Sequence, residues 1–132
     1  MASIVKHFWP CLRVIIESVN NQQPITYGEL AERLGLKFAK QEWTNLLDLI
    51  AVKTKRELGD DYDLTWNVVY AKGNKAEGLS RYFSEGDQVP GTTLLDPKNK
   101  KQVDDFERKL KNIYKYTYEL KHSKVIKVRR PG

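Results

Sequence analysis

Polar and basic side chains recur at helical spacing between Lys37 and Asn45. Gln41 and Asn45 carry amides, which can make paired hydrogen bonds to adenine in the major groove of DNA. Lys37 and Lys40 carry positive charge that can hold phosphates, and Thr44 adds a hydroxyl. Because residues three or four apart share one helix face, this spacing predicts one surface able to contact nucleic acid.

Further cations extend this candidate surface. Lys53, Lys55 and Arg56 follow at the end of the same apolar pattern. Other possible phosphate contacts are Lys72, Lys75 and residues 98–101. Asp48 lies on the same predicted face and would repel phosphate. The alternative interpretation is therefore the solvent face of a core helix.

The chain offers few groups that could hold a metal. His7 and His122 have no Cys or His at ligand spacing, so a zinc site is not expected. Asp60, Asp61 and Asp63 could form an acidic cluster, but Gly-Asp-Asp is also a common turn. The run also lacks the glycine and glutamate of a calcium loop in the right register. We therefore predict no metal and no cofactor.

One segment has the form of a nuclease motif. Glu119-Leu-Lys121 matches Glu-x-Lys, yet it falls in a helical pattern, whereas the motif needs a strand. The chain also lacks a glycine-rich loop that could cradle phosphates. A small metal-dependent nuclease or toxin is therefore a third hypothesis, and we predict that the protein is not an enzyme.

Residues 24–35 predict the element that would position these groups, the first helix of a helix-turn-helix unit. Thr26 and Glu29 have the spacing of a capping box, and Ile25 and Leu30 have that of a hydrophobic staple. Gly35 stands where a left-handed residue would end the helix. Thr26 and its neighbour Tyr27 complete the candidate contact set, because they lie at the start of this supporting helix.

Apolar periodicity predicts an α+β, mainly helical chain. The first predicted element is a helix within 4–20 that either begins near Trp9, with Pro10 in its first turn, or is kinked at Pro10. Helices at 27–34 and 39–52 and a strand at 63–72 follow, and 79–83 form a short returning strand or a helical turn. The rest is a loop at 84–99, a long helix from about 96 to 120 and a closing strand at 125–128. This order predicts a winged helix-turn-helix-like fold. It would have three N-terminal helices, a small antiparallel sheet and a long C-terminal helix, with a loose tail at Arg129 and Arg130.

Three tyrosines alternate along the predicted last helix. Tyr114 is expected in the core. Tyr116 or Tyr118 could stack on a base, and the alternative is a half-buried ring with its hydroxyl in water.

The 132 residues are expected to form one domain, 1–132. The net charge is +6, but residues 98–132 hold twelve Lys or Arg and four Asp or Glu, giving +8, whereas residues 1–97 hold eleven and thirteen, giving −2. A one-sided positive field favours polyanionic partners. A lysine-rich face that only keeps the protein soluble is the alternative.

The sequence has no apolar run long enough to span a membrane and no signal-peptide pattern. The single cysteine excludes an internal disulfide. We therefore expect a cytoplasmic protein with no membrane partner.

The run Pro24 to Gly35 resembles the first helix of the helix-turn-helix unit in alkylguanine-DNA alkyltransferases and their alkyltransferase-like relatives, where Thr-Tyr-Gly opens the helix before the DNA-reading one. Those enzymes carry a reactive Pro-Cys-His-Arg-Val segment after this unit. Here Pro10-Cys11-Leu12-Arg13-Val14 precedes it, with Leu12 in place of the histidine. We therefore expect no alkyl transfer and an inert core thiol at Cys11.

The whole layout also resembles small bacterial and phage proteins that have no assigned activity. In these a Tyr-Gly-Glu-Leu-Ala helix is followed by a Leu-rich helix, a Val-Val strand, a glycine-containing loop and an aromatic C-terminal helix. The corresponding parts here are 27–31, 46–50, 68–69, 73–78 and 106–118. The resemblance supports the expected fold and implies no site residues.

The sequence therefore predicts non-enzymatic binding of nucleic acid, with duplex DNA preferred, through the helix at 39–52 and its basic flanks. The alternative is a protein-interaction module of a phage or defence system that uses the same scaffold.

Overall fold

The computed structural model describes residues 6–35, 40–69 and 100–130. In chain order the elements are α1 (Phe8–Asn20), β1 (Ile25–Thr26), α2 (Tyr27–Leu34), α3 (Lys40–Leu58), a 3₁₀ turn (Leu64–Asn67), β2 (Val68–Val69), α4 (Lys100–Ile113), β3 (Tyr116–Lys121) and β4 (Lys124–Arg129). A mainly helical α+β chain with a small antiparallel sheet is thus confirmed. Within these ranges no helix has the length and apolar character needed to cross a bilayer.

The first helix buries one apolar stripe. Cys11, Leu12, Ile15 and Val19 of α1 are fully buried, at the three- and four-residue spacing that the sequence predicts. Pro10 lies in the first turn, where its missing N–H costs nothing because the first amides of a helix have no partner within the helix. Of the two predicted alternatives, a helix that begins just before Pro10 is the one observed.

The second helix has the predicted caps. The Glu29 N–H donates to Thr26 Oγ1 at 3.0 Å, and the Thr26 N–H donates to Glu29 Oε1 at 3.1 Å. Ile25 and Leu30 are both buried, as a hydrophobic staple requires. Gly35 ends the helix with a φ of +66°, which is the left-handed conformation that glycine adopts most readily.

The third helix is longer than predicted. It continues to Leu58, because Thr54 and Leu58 extend the buried stripe that Leu46, Leu47 and Ile50 begin. The cations at 53–56 therefore lie within the helix and not at its end.

The predicted strand at 63–72 is wrong over its first residues. Residues Leu64–Asn67 form a 3₁₀ turn, because Asp63 Oδ1 accepts the Thr65 N–H at 2.9 Å and so draws the backbone into a turn. The strand begins at Val68 and pairs in parallel with β1, Ile25 with Val68. Its remainder at 70–72, the segment at 79–83 and the loop at 84–99 lie outside the described residues.

The prediction of a long C-terminal helix is also wrong. The helix ends at Ile113, and the chain then forms an antiparallel hairpin of β3 and β4 in which Tyr118 is opposite Lys127. The two residues joining the strands, His122 and Ser123, have φ values of +53° and +66°. These values are those of a type I′ hairpin turn, and the turn carries neither the glycine nor the asparagine that usually marks one.

Side chains of α1 and α3 attach this hairpin to the helices. The Asn20 amide, at the end of α1, bonds both backbone groups of Tyr118: its Nδ2 donates to the carbonyl at 3.0 Å, and its Oδ1 accepts the N–H at 2.8 Å. On the other strand, Glu57 Oε1 of α3 accepts the Val125 N–H at 2.8 Å. The hairpin thus brings the C-terminal segment onto α1 and α3.

Arg130 is not part of a loose tail. Its guanidinium donates to the carbonyls of Asn20 at 2.9 Å and Tyr114 at 2.7 Å. The Asn20 carbonyl is at the C-terminal end of α1, where the last carbonyls have no partner within the helix. Positive charge at this end also suits the helix dipole.

A polar cluster lies inside the apolar core. Asn67 is fully buried, and its Nδ2 donates to Ser18 Oγ and to the Gln23 carbonyl, both at 2.9 Å. The Tyr114 hydroxyl donates to Asn67 Oδ1. Tyr114 was predicted in the core and lies at its margin: the ring is half-buried, and the hydroxyl is hydrogen-bonded to buried Asn67.

Candidate nucleic-acid interface

The helix-turn-helix candidate consists of α2 and α3, separated by residues 35–39. The Thr26 hydroxyl accepts the Glu29 N–H, so its first role is to cap α2. Lys37 and the side chain of Tyr27 lie outside the described residues. Of the two predicted contacts at the start of α2, Thr26 and Tyr27, the structure therefore describes only the side chain of Thr26.

The face of α3 opposite the core carries a mixture of side chains. Asn45 and Arg56 are exposed, as the sequence predicts, and Lys55 is half-buried. Leu49 and Val52 lie between them with 49% and 50% of their surfaces exposed. Lys40, Gln41 and Thr44 belong to the same helix, and their side chains lie outside the described part of the chain. The described part of this face, from Asn45 to Arg56, is therefore less polar than the sequence suggested.

Lys53, one of the predicted contacts whose side chain the structure describes, has several partners within the chain. Its Nζ donates to Glu57 Oε2 and to the Ser123 carbonyl, each at 2.8 Å, and lies 5.2 Å from the centre of the Trp9 ring. Partial burial would raise the pKa of the Glu57 carboxyl, but hydrogen bonds from Lys53 and the Val125 amide outweigh it and lower the pKa. Lys53 therefore holds the hairpin turn against α3, and a phosphate would have to compete with these bonds.

The structure also forms a concave basic surface that the sequence analysis did not identify. Arg108, Lys111, Asn112 and Lys115 follow one another on one face of α4 and just beyond its end. With Lys109 and, across from them, Asp61, they line a cavity of about 530 Å³. We call these six residues the basic groove. Four of them are cations and one is an acid, so the groove suits a polyanion.

The cations of the basic groove differ in how they are paired. Arg108 and Lys109 both contact Asp105, the latter at 3.3 Å between Nζ and Oδ2. The hydrogen bond from Arg108 is the main reason why the pKa of the Asp105 carboxyl is lowered. Lys111 and Lys115 are exposed and make no ion pair with the described residues. These two lysines are the groove cations most available to a ligand.

Two aromatic rings adjoin the basic groove. Tyr62 and Tyr116 meet edge to face, with ring centres 5.9 Å apart. Lys127 Nζ lies 3.7 Å from the Tyr62 centroid and 5.0 Å from that of Tyr116. Burial would raise the pKa of Tyr62, yet hydrogen bonds from Lys127 and Asn112 lower it. Lys127 thus occupies the ring faces that a base would need.

Tyr118 cannot stack on a ligand. The prediction placed it on a helix, but it lies in β3, where its ring is buried and its hydroxyl donates to the Ile113 carbonyl at 2.7 Å. Burial raises its pKa. Among the outlying basic candidates, Lys100 and Lys101 are exposed at the start of α4. Lys72, Lys75 and residues 98–99 lie outside the described residues.

The groups considered for catalysis are not brought together. Glu119 and Lys121 lie in β3, so the helical pattern that we expected there is wrong, but both are exposed. Asp63 is buried, whereas Asp60 and Asp61 are exposed, so these three do not form one cluster. The part of the chain described here contains no group of three His, Cys, Asp or Glu that could hold a metal ion.

Cys11 has the environment expected of an inert thiol. It is buried in α1, and burial raises its pKa to about 12. Because the thiolate is the nucleophile, a thiol with this pKa does not react readily.

Comparison with known proteins gives no relative. No family model matches the chain, and neither a curated protein nor a solved structure is similar to it.

Proposed function

We propose that this protein binds nucleic acid without catalysing a reaction, and that duplex DNA is its preferred ligand. The observation that carries the proposal is the basic groove, where four cations and one carboxylate among the described residues line a cavity of about 530 Å³. Phosphate contacts supply most of the sequence-independent affinity of such proteins, through the release of bound counterions.

The geometry of α4 supports this role for the groove. Arg108 and Lys111 lie on one face of α4, about 4.5 Å apart along the axis, and Lys115 follows in the turn just beyond the end of the helix. The three cations form a row, as a contact that follows a phosphate backbone requires. Lys100 and Lys101 extend positive charge to the other end of α4.

The succession of α2 and α3 along the chain favours duplex DNA as the ligand. A short capped helix, a left-handed glycine and a longer helix are the parts of a helix-turn-helix unit, whose second helix enters the major groove. In our proposal the first half of α3 contacts base edges through Gln41, Thr44 and Asn45. The basic groove holds the backbone.

A binding experiment with charge-reversed variants tests the proposal. Lys111→Glu with Lys115→Glu reverses two charges in the groove, and Lys121→Glu with Lys124→Glu reverses two on the hairpin outside it. Both pairs lower the net charge from +6 to +2. Fluorescence anisotropy would be recorded on duplex DNA, single-stranded DNA and RNA at about 50 and about 200 mM salt.

We expect the groove pair to bind duplex DNA at least about tenfold more weakly than the hairpin pair. The slope of log affinity against log salt should become shallower by about 2, since each phosphate contact contributes about 0.9. Lys40→Glu with Lys55→Glu tests α3 in the same way. Equal binding by the groove and hairpin pairs would reject the groove, and no binding to any of the three ligands would reject the function.

The second candidate function is a protein-interaction module. It is favoured by Leu49 and Val52, which are half-exposed on the outer face of α3 and cannot hydrogen-bond to DNA. A protein interface with an apolar centre should change little with salt, which distinguishes it from phosphate binding.

A further inference from the structure

The outer face of α3 has an apolar centre. In a helix of 3.6 residues per turn, Val52 points almost directly away from buried Ile50 and Thr54, and Leu49 lies about 60° to one side. Both side chains expose about half of their surface, 50% for Val52 and 49% for Leu49. Neither can contact phosphate or a base by hydrogen bonding. The face therefore suits an apolar partner better than a polyanion.

The charges around this centre are arranged with opposite signs at its two ends. Asp48 precedes Val52 by four residues and Arg56 follows it by four, and both are exposed. Neither makes an ion pair with another described residue. They are two helical turns apart, about 12 Å along the axis, so they do not neutralise each other within one chain.

We propose that this face binds a second copy of the chain, with the two α3 helices antiparallel and a twofold axis at Val52. Val52 then meets Val52 of the partner subunit. Asp48 comes opposite Lys55 and Arg56 of the partner subunit, and the twofold axis repeats this pairing at the other end. A parallel arrangement would instead place like charges together. The charges thus select the antiparallel dimer, in the self-complementary manner of a twofold interface.

The dimer is expected to be weak. One helix pair with two half-exposed apolar side chains per subunit is at the small end of specific interfaces. We expect a dissociation constant on the order of 100 µM, in the range of weak, transient association. The inference does not depend on the basic groove, which is formed by α4 and by Asp61. It places Lys55 at the dimer interface, so in the dimer Lys55 is not available to DNA.

Sedimentation velocity over a range of concentrations tests this dimer, from about 10 to about 500 µM around the expected constant. The wild type should shift from monomer to dimer, and Val52→Glu should remain monomeric, because it places two carboxylates at the axis. Circular dichroism confirms that this surface variant folds. A wild type that is monomeric at every concentration overturns the proposal and leaves the face to a different protein.

A charge exchange tests the antiparallel register. Asp48→Arg and Arg56→Asp should each weaken association, because each places like charges opposite one another at both ends. The double variant should associate more strongly than either single variant, since it restores opposite charges across the interface. This recovery can arise only between chains. If the double variant is as weak as the singles, the register is wrong.

Cysteine cross-linking provides a second measurement. Val52→Cys should form a disulfide-linked dimer under mild oxidation, because a residue on the twofold axis meets its own copy. Glu32→Cys, at an exposed position on α2, should not. The native Cys11 is buried and does not compete. Equal cross-linking of both variants would indicate random collision and contradict the proposed interface.

Discussion

Replacing Asp63 with asparagine should change how the free energy of unfolding varies with pH. The Asp63 side chain is fully buried. Its Oδ1 accepts the backbone N–H and the hydroxyl of Thr65, and its Oδ2 has no hydrogen-bond partner. Burial raises its pKa from 3.8 to about 6, although the Thr65 hydrogen bonds act in the other direction.

The raised pKa fixes the sign of the effect. The folded state holds the Asp63 proton more tightly than the unfolded state, so this group stabilises the fold below pH 3.8 and loses that contribution as the pH rises to about 6. A difference of about two pKa units corresponds to about 3 kcal/mol in full, of which about 2.5 kcal/mol lies between pH 4 and pH 7.5. Asparagine keeps an acceptor for Thr65 and does not ionise.

Urea denaturation of both proteins at pH 4, 5, 6 and 7.5, at constant ionic strength, measures this difference. Relative to the wild type, Asp63→Asn should gain about 2.5 kcal/mol of stability as the pH rises across this range. The unpaired amide nitrogen of the Asp63→Asn variant adds a cost that is independent of pH, so it does not change how the difference in stability varies with pH. Asp61→Asn, at an exposed position, is the control and should track the wild type. A difference between Asp63→Asn and wild type that stays flat with pH, or falls, would refute the reasoning.

Two further changes test how the hairpin is held. Ser123→Gly should stabilise the fold by about 0.5–1 kcal/mol and raise Tm by a few degrees, because glycine adopts a φ of +66° without strain. Ser123→Ala should give no gain in stability. An equal gain from alanine would contradict the left-handed conformation of Ser123 in the turn. Asn20→Ala should cost about 2–4 kcal/mol in urea denaturation, because it leaves the Tyr118 N–H and carbonyl without partners. Asn21→Ala, at the exposed neighbouring position, is the control. Equal losses of stability in the two variants would show that the Asn20 hydrogen bonds to Tyr118 do not stabilise the fold.

The sequence predicted the elements whose signals are local. The α2 helix was found with its bounds, because Thr26, Glu29 and Gly35 specify its ends within a dozen residues. The buried stripe of α1 followed from its periodicity in the same way. These features depend on residues close together in the chain, so a single sequence is enough to predict them.

The hairpin and the groove could not be predicted because they depend on distant parts of the chain. Tyr116–Lys121 continues the apolar spacing of α4, and only the bonds from Asn20 and Glu57 show that it pairs as a strand. The spacing of Arg108, Lys111, Asn112 and Lys115 was a visible signal for one basic helix face. It becomes a concavity only when Asp61 is brought opposite it.

The bonds that Arg130 makes to the end of α1 have a consequence for synthesis on the ribosome. They join residues 110 positions apart, and the Asn20 bonds to Tyr118 join residues 98 apart. A nascent chain that has released only its first hundred residues therefore has its opening helix without its final partners. Such late closure slows folding and leaves the part of α1 that faces β3 uncovered while translation proceeds.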